Sequence, residues 1–173
     1  MNLDKVILGS KVPEEFNVII EIPQGGYPIK YEIDKESASL VVDRLVATSM
    51  QYPANYGFLP QTLGKDGDPL DALVITPSPL YPMSVIKVRP LGVLLMEDES
   101  GFDEKIICVP VTKVTAYYDK IQVLQDLPDI LLSQIKHFFE TYKNLENGKW
   151  VKITGFQDKE FAYKVIKDSI INK

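Results

Sequence analysis

Between Phe16 and about Val111 the apolar residues come in short runs, each closed by a turn signal, and that spacing confines the chain to short strands folded against one another. Phe16 to Ile22 reads as one strand, and Gln24-Gly25-Gly26 breaks it before Ile29 to Asp34. In that second run Ile29, Tyr31 and Ile33 alternate with Lys30, Glu32 and Asp34, so Lys30 and Glu32 share a polar face. Further strands fit Leu40 to Leu45, Ala72 to Thr76, Val85 to Met96 and Lys105 to Val111. Gly101 turns the last pair, and Pro90 with Gly92 marks a bend or bulge.

After Leu127 the period changes. Leu127, Leu131, Ile135, Phe138 and Tyr142 recur every three or four residues up to Lys143, with Asp126 before the start and Pro128 in the first turn, which predicts a helix. A short strand at Trp150 to Phe156 precedes a second helical stretch over Lys159 to Ile171. Strands first and helices last make an α+β fold, and five or more strands curling shut would give a small OB-like antiparallel β-barrel with two helices packed outside. The 173 residues suit one domain spanning the chain.

Composition narrows the chemistry. A net charge of −5 disfavours nonspecific capture by nucleic acid or an anionic membrane. One cysteine, Cys108, excludes an internal disulfide framework, and a single histidine removes the usual all-protein zinc sites, so any metal would be held by oxygen. Cys108 reads as a small buried hydrophobe, Trp150 as core, and His137 as a packing or subunit-contact residue. No apolar run reaches the roughly 20 residues that span a bilayer. The start, Met1 to Val6, lacks the order of a signal peptide, and a cytoplasmic protein is the expectation.

The densest chemical feature is Asp66-Gly67-Asp68-Pro69-Leu70-Asp71, three carboxylates within a short loop. Alone it reads either as a solvated acidic turn or as a site for a hard cation. It fails the EF-hand pattern at Leu70 and Pro77, and polar Gln61 to Lys65 in front of it argues against a strand-borne phosphotransfer nucleophile. A second acidic cluster, Asp98-Glu99 with Asp103, surrounds a predicted turn. Two such loops facing each other could hold several Mg²⁺ ions. Lys30, Arg44, Lys105 and Lys143 would suit a metal-bound polyanion such as phosphate, although no P-loop is present. Tyr52-Pro53-Ala54-Asn55-Tyr56-Gly57-Phe58 is aromatic and turn-rich, open to core packing or to hydroxyl donation to anionic oxygens.

These segments together resemble the soluble family I inorganic pyrophosphatases, bacterial type. Asp66 to Asp71 matches the family's acidic signature in full. The flanks Val18 to Pro23, Ile29 to Asp34, Val42-Asp43-Arg44, Tyr52 to Gly57, Asp98-Glu99, Asp103-Glu104-Lys105 and His137 to Lys143 match in order, so the likeness runs from about Lys11 to Phe156. The resemblance implies an OB-like barrel, Mg²⁺-dependent hydrolysis of pyrophosphate to two phosphates and a homohexamer. It implies Asp66, Asp71, Asp98 and Asp103 as metal ligands, with Glu21 and Glu32 acting around the metals. Lys30, Arg44, Lys105, Tyr142 and Lys143 would bind phosphate oxygens, and Tyr56 would add a hydroxyl near the leaving group. Glu99 and Tyr52 would support these residues from behind, while Asp68 would orient the attacking water and accept its proton. Two rivals remain on the residues alone, an OB-type binder of single-stranded nucleic acid and a less selective Mg²⁺ phosphohydrolase.

Overall fold

Short apolar runs can satisfy their backbone only by pairing on both sides, and a ring of strands achieves this with no open edge. A computed structural model describes residues 3–34 and 36–171; Met1 and Asn2, part of the start read above for a signal peptide, lie outside the described residues. The strands are β1 (Phe16–Ile22), β2 (Ile29–Ile33), β3 (Leu40–Leu45), β4 (Asn55–Phe58), β5 (Asp71–Val74), β6 (Val85–Asp98), β7 (Gly101–Phe102), β8 (Lys105–Pro110) and β9 (Val151–Gln157). The helices are α1 (Asp129–Thr141) and α2 (Lys159–Ser169).

β1 pairs with β4, β4 with β5, β5 with β8, β8 with β6, and β6 returns to β1. The ring closes as an OB-like barrel. Four of these pairings are antiparallel; β5–β8 is parallel, with Asp71 opposite Lys105 and Val74 opposite Cys108. The 14-residue β6 serves several partners in turn: β1 along its first residues, β8 in the middle, and β7 and β9 at its end. It changes direction where the register shifts between Pro90 and Gly92, the bend that those two residues predict. β2 and β3 form a separate two-stranded ribbon rather than barrel strands.

Alternate residues of the buried strands serve two apolar clusters. Leu73, Ile107 and Val109 join the cluster packed against Ile135, Phe138 and Phe139 of α1, whereas Ala72, Val74, Ile106 and Cys108 join the one that holds Ala162 and Ile166 of α2. Cys108 is fully buried, as its neighbours predict.

Three details differ from the sequence reading. β4 is a strand where an aromatic turn was read, because its four residues alternate too briefly to show a period. α1 begins after Pro128; the Asp126 carboxylate accepts from the Gln122 and Val123 amides at 2.8 and 3.1 Å and closes the preceding turn instead of capping the helix. Trp150 is 46% exposed beside the start of the edge strand β9 and is not core. His137 is exposed on α1, as the subunit-contact alternative requires. Asp158 does cap α2, accepting from the Phe161 amide at 2.9 Å. Among the described residues no helix is long and apolar enough to cross a membrane.

Gly57 marks a close approach of two strands, since a Cβ there would lie 2.0 Å from the Ile19 carbonyl oxygen. Gly57→Ala should therefore cost about 3 kcal/mol of stability, at the upper end of ordinary overpacking penalties. Urea unfolding checks this, and a midpoint equal to that of the unmutated protein would contradict so close a contact.

Candidate active site

The parallel pairing of β5 with β8 decides where the polar residues gather. It starts both strands at the same end of the barrel, so the loop carrying Asp66 and Asp68 and the loop carrying Asp103 arrive side by side, with Asp71 and Lys105 as opposed first residues. Glu21 reaches this end from β1, Tyr56 from β4 and Asp98 from the last residue of β6. The ribbon contributes Lys30, Glu32 and Arg44, with Lys30 directly opposite Arg44, and the residues after α1 contribute Tyr142 and Lys143. Together with Tyr52 and Glu99 they line one cavity of about 290 Å³. All fifteen residues singled out in the sequence are thus brought to one place.

Eight carboxylates (Glu21, Glu32, Asp66, Asp68, Asp71, Asp98, Glu99 and Asp103) meet five cations there: Lys30, Arg44, Lys105, Lys143 and Lys149. The surplus is acidic. At its centre Lys105, only 2% exposed, donates to Asp71 Oδ2 and Asp103 Oδ1 at 2.6 Å each. The Tyr56 hydroxyl donates to the same Asp71 oxygen at 2.6 Å. Lys143 donates to Asp98 at 2.6 Å and to Glu99 at 3.3 Å. Lys30 pairs with Glu32 at 2.5 Å, the shared polar face that their alternation predicts. Arg44 Nη1 donates to Asp43 at 3.0 Å, and its Nε lies 3.1 Å from Glu146.

Local backbone explains how the acidic loop holds its shape. Gly67 takes φ 92°, which a residue with a side chain rarely adopts, and lets the Gly64 amide donate to the Asp68 carbonyl at 2.6 Å. Asp66 Oδ1 accepts from the Asp68 amide at 3.1 Å, leaving Asp68 at the exposed rim of the cavity. Thr62 Oγ1 accepts from the Leu70 amide at 2.9 Å and pins the far end. Asn55, wholly buried, accepts from the Gln24 and Leu80 amides and donates to Val74 and Thr76, which locks the segment bearing Tyr52 and Tyr56.

Burial and crowding set the protonation of these groups. Desolvation pushes the Glu21 carboxyl up to about 8, although the Ile33 amide donates to it at 2.8 Å. Desolvation also raises Asp71, against the pull of Lys105, and raises Asp66, which Asp103 raises further. Asp98 is the contrast: burial opposes its charge, but hydrogen bonds from Lys143 and Ser100 prevail and hold it below the usual range. Lys105 is likewise penalised by burial yet held charged by Asp103 and Asp71.

Among the described residues no three carboxylates close on a common point to grip an ion as they stand. The donor set nevertheless fits hard divalent cations: every donor is oxygen, the acids outnumber the bases, and several of the acids are desolvated enough to favour neutralisation. The residues that sequence reasoning missed are Lys149 and Glu146, 3.3 Å apart beside Arg44. They lie in a polar loop with no periodicity, and only the fold brings that loop to the ribbon.

Residues 18–172 match the family model described as inorganic pyrophosphatase. The chain belongs to the inorganic pyrophosphatase family. It is of the bacterial family I type. Inorganic pyrophosphatase from Agrobacterium fabrum (strain C58) is 54% identical over 170 residues, covering 98% of this chain and 96% of that protein. That of Brucella melitensis is 56% identical over 170 residues, covering 98% and 97%. The solved structure of an inorganic pyrophosphatase from Coxiella burnetii superposes with a TM-score of 0.93 at 52% identity, covering 96% of this chain and 98% of that one. That of the Thermus thermophilus enzyme gives 0.92 at 44% identity, covering 98% and 97%.

Lys105 is the test of how this pyrophosphatase family member tolerates its acids. Lys105→Met leaves Asp71 and Asp103 without their shared counter-ion, and breaking a buried pair this way should lower stability in chelator by about 3 kcal/mol. Urea denaturation with excess EDTA measures it. A stability within about 0.5 kcal/mol of the unmutated protein, the range of an ordinary surface change, would show that the pairing is incidental.

Proposed function

We propose that this protein hydrolyses inorganic pyrophosphate to two orthophosphates with Mg²⁺, by in-line attack of water. The observation that carries the reading is the cavity itself, which joins an acidic surplus on the barrel to cations from the ribbon and from the end of α1. A polyanionic substrate carried with divalent cations needs both signs of charge within a few ångströms. Family membership supports the same activity.

Asp66, Asp71, Asp98 and Asp103, with Glu21 and Glu32 around them, would hold Mg²⁺. Bound there, the ions would supply positive charge beside the phosphates and lower the pKa of water. Lys30, Arg44, Lys105, Tyr142 and Lys143 take the phosphate oxygens; the paired ammonium and guanidinium groups suit terminal oxygens by charge and by donor geometry. Tyr56 presents a hydroxyl toward the leaving phosphate. Asp68, at the accessible rim, orients the attacking water and accepts its proton. Glu99 holds Lys143 and Tyr52 packs against Tyr56, so both steady residues that touch substrate. Because charge moves onto the leaving group, positioning and electrostatics supply the rate enhancement and no covalent phosphoenzyme is formed.

Phosphate release from pyrophosphate, ATP and tripolyphosphate with Mg²⁺, beside an oligonucleotide titration, separates this reading from its rivals. Pyrophosphate should be turned over in strong preference. Tight oligonucleotide binding without turnover would overturn the reading. Asp68→Asn should cut turnover by roughly 10²- to 10⁴-fold, as for a lost general base, while Mg²⁺ still raises the melting temperature. An Asp68→Asn protein that keeps most of its activity at neutral pH would remove that role.

The reading includes a cytoplasmic location and a homohexamer with no nucleic-acid or membrane partner. Tyr27, Leu45, Tyr81 and Ile130 are 79, 73, 88 and 67% exposed, large apolar side chains that subunit contacts would cover. Light scattering at micromolar concentration should report about six chains; a single chain of 19.5 kDa would refute the assembly.

A further inference from the structure

Behind the acidic loop lies a second cavity of about 180 Å³, between that loop and α2, lined in part by Glu104 and by Lys65, whose side chain is 66% exposed. Each of these residues adjoins a carboxylate of the first cavity. Lys65 precedes Asp66, and Glu104 sits between Asp103 and Lys105, yet Asp66, Asp103 and Lys105 face the first cavity while Lys65 and Glu104 face the second. The Lys65 ammonium is ion-paired to the Glu104 carboxylate and stands 5.4 Å from the centre of the Phe102 ring. The Glu104 side chain is 7% exposed and lines this cavity with Leu63, Leu70 and Phe161, and Lys65 is the cation paired with it.

We propose that Lys65 and Glu104 are a positioning pair, joining the two acidic loops from behind so that Asp66 and Asp103 stand at the separation that binds Mg²⁺. This rests on the metal-dependent reading above. The pair acts where it is needed, because Asp66 and Asp103 repel each other, and it adds to the hydrogen bonds of Gln61, Leu63 and Thr62 that hold the ends of the loop. A contact holding the loops together on the far side opposes that repulsion without placing another charge among the reacting groups. It touches neither substrate nor ions, so its effect falls on metal affinity and not on the chemical step.

The experiment compares the full-length unmutated protein with Lys65→Met, Glu104→Gln, the double variant and Lys65→Arg. For each, the Mg²⁺ concentration giving half-maximal pyrophosphate hydrolysis, kcat at saturating Mg²⁺, and Mg²⁺ binding by calorimetry without substrate are measured. Lys65→Met and Glu104→Gln should each raise the Mg²⁺ requirement by about 3- to 10-fold, with the double variant no worse than either single one, as for two halves of one interaction. Saturating kcat should stay within about twofold, and Lys65→Arg should keep the unmutated requirement. Glu104→Gln keeps the shape of the buried side chain and so answers the question even if Lys65→Met folds poorly. Mg²⁺ curves of both single variants that superimpose on the unmutated protein would overturn the pair while leaving the proposed function standing. So would losses that simply add in the double variant, or a fall in kcat with unchanged Mg²⁺ binding. An unmutated protein with no Mg²⁺-dependent turnover would overturn both.

Discussion

The cavity exists because a surplus of carboxylates is held at one end of the barrel, partly out of water. Isolated carboxylates would relieve the repulsion by swinging into solvent, but here Asp71 and Asp98 begin and end paired strands, Glu21 and Glu32 lie within strands, and Asp66, Asp68 and Asp103 sit in the loops that lead into them. Lys105 makes this tolerable. It is buried with two carboxylates at hydrogen-bond distance, and it is opposed to Asp71 by the register of the sheet and not by the reach of a flexible loop. The charge balance still leaves acid in excess, so the arrangement is satisfied only in part by the protein's own cations.

Much of this was legible in the residues. Alternation at Ile29 to Ile33 placed Lys30 and Glu32 on one face, and the bend at Pro90 and Gly92 was visible from composition. Periodicity at Leu127 to Tyr142 marked the helix, though not its first residue, because Asp126 and Pro128 can serve either a helix cap or the turn before it. What stayed hidden depends on distant pairing. Nothing near Asp71 or Lys105 says that their strands run parallel, and a four-residue strand such as β4 has too little length for a period. Trp150 misled because an aromatic ring gives no sign of standing beside an edge strand.

The candidate site was more legible than the fold around it. Asp66, Asp68 and Asp71 are close in sequence, and a run of acids before an apolar strand is conspicuous whatever the topology. Lys149 and Glu146 carry no comparable signal. Their relation to Arg44 comes from the return of the chain after α1, a tertiary event with no local signature.

The β2–β3 ribbon is hydrogen-bonded within itself and joins the barrel sparingly, with the Ile33 amide on Glu21 as one such link. The acids therefore belong mostly to a closed ring whose geometry is shared by every strand in it, whereas Lys30 and Arg44 ride on a two-stranded appendage. A change in ribbon length or twist would move Lys30, Glu32 and Arg44 while Lys105 and Asp71 keep their register in the ring. The charge balance of the cavity can thus be revised from the ribbon alone, with the strand register of the ring left as it is.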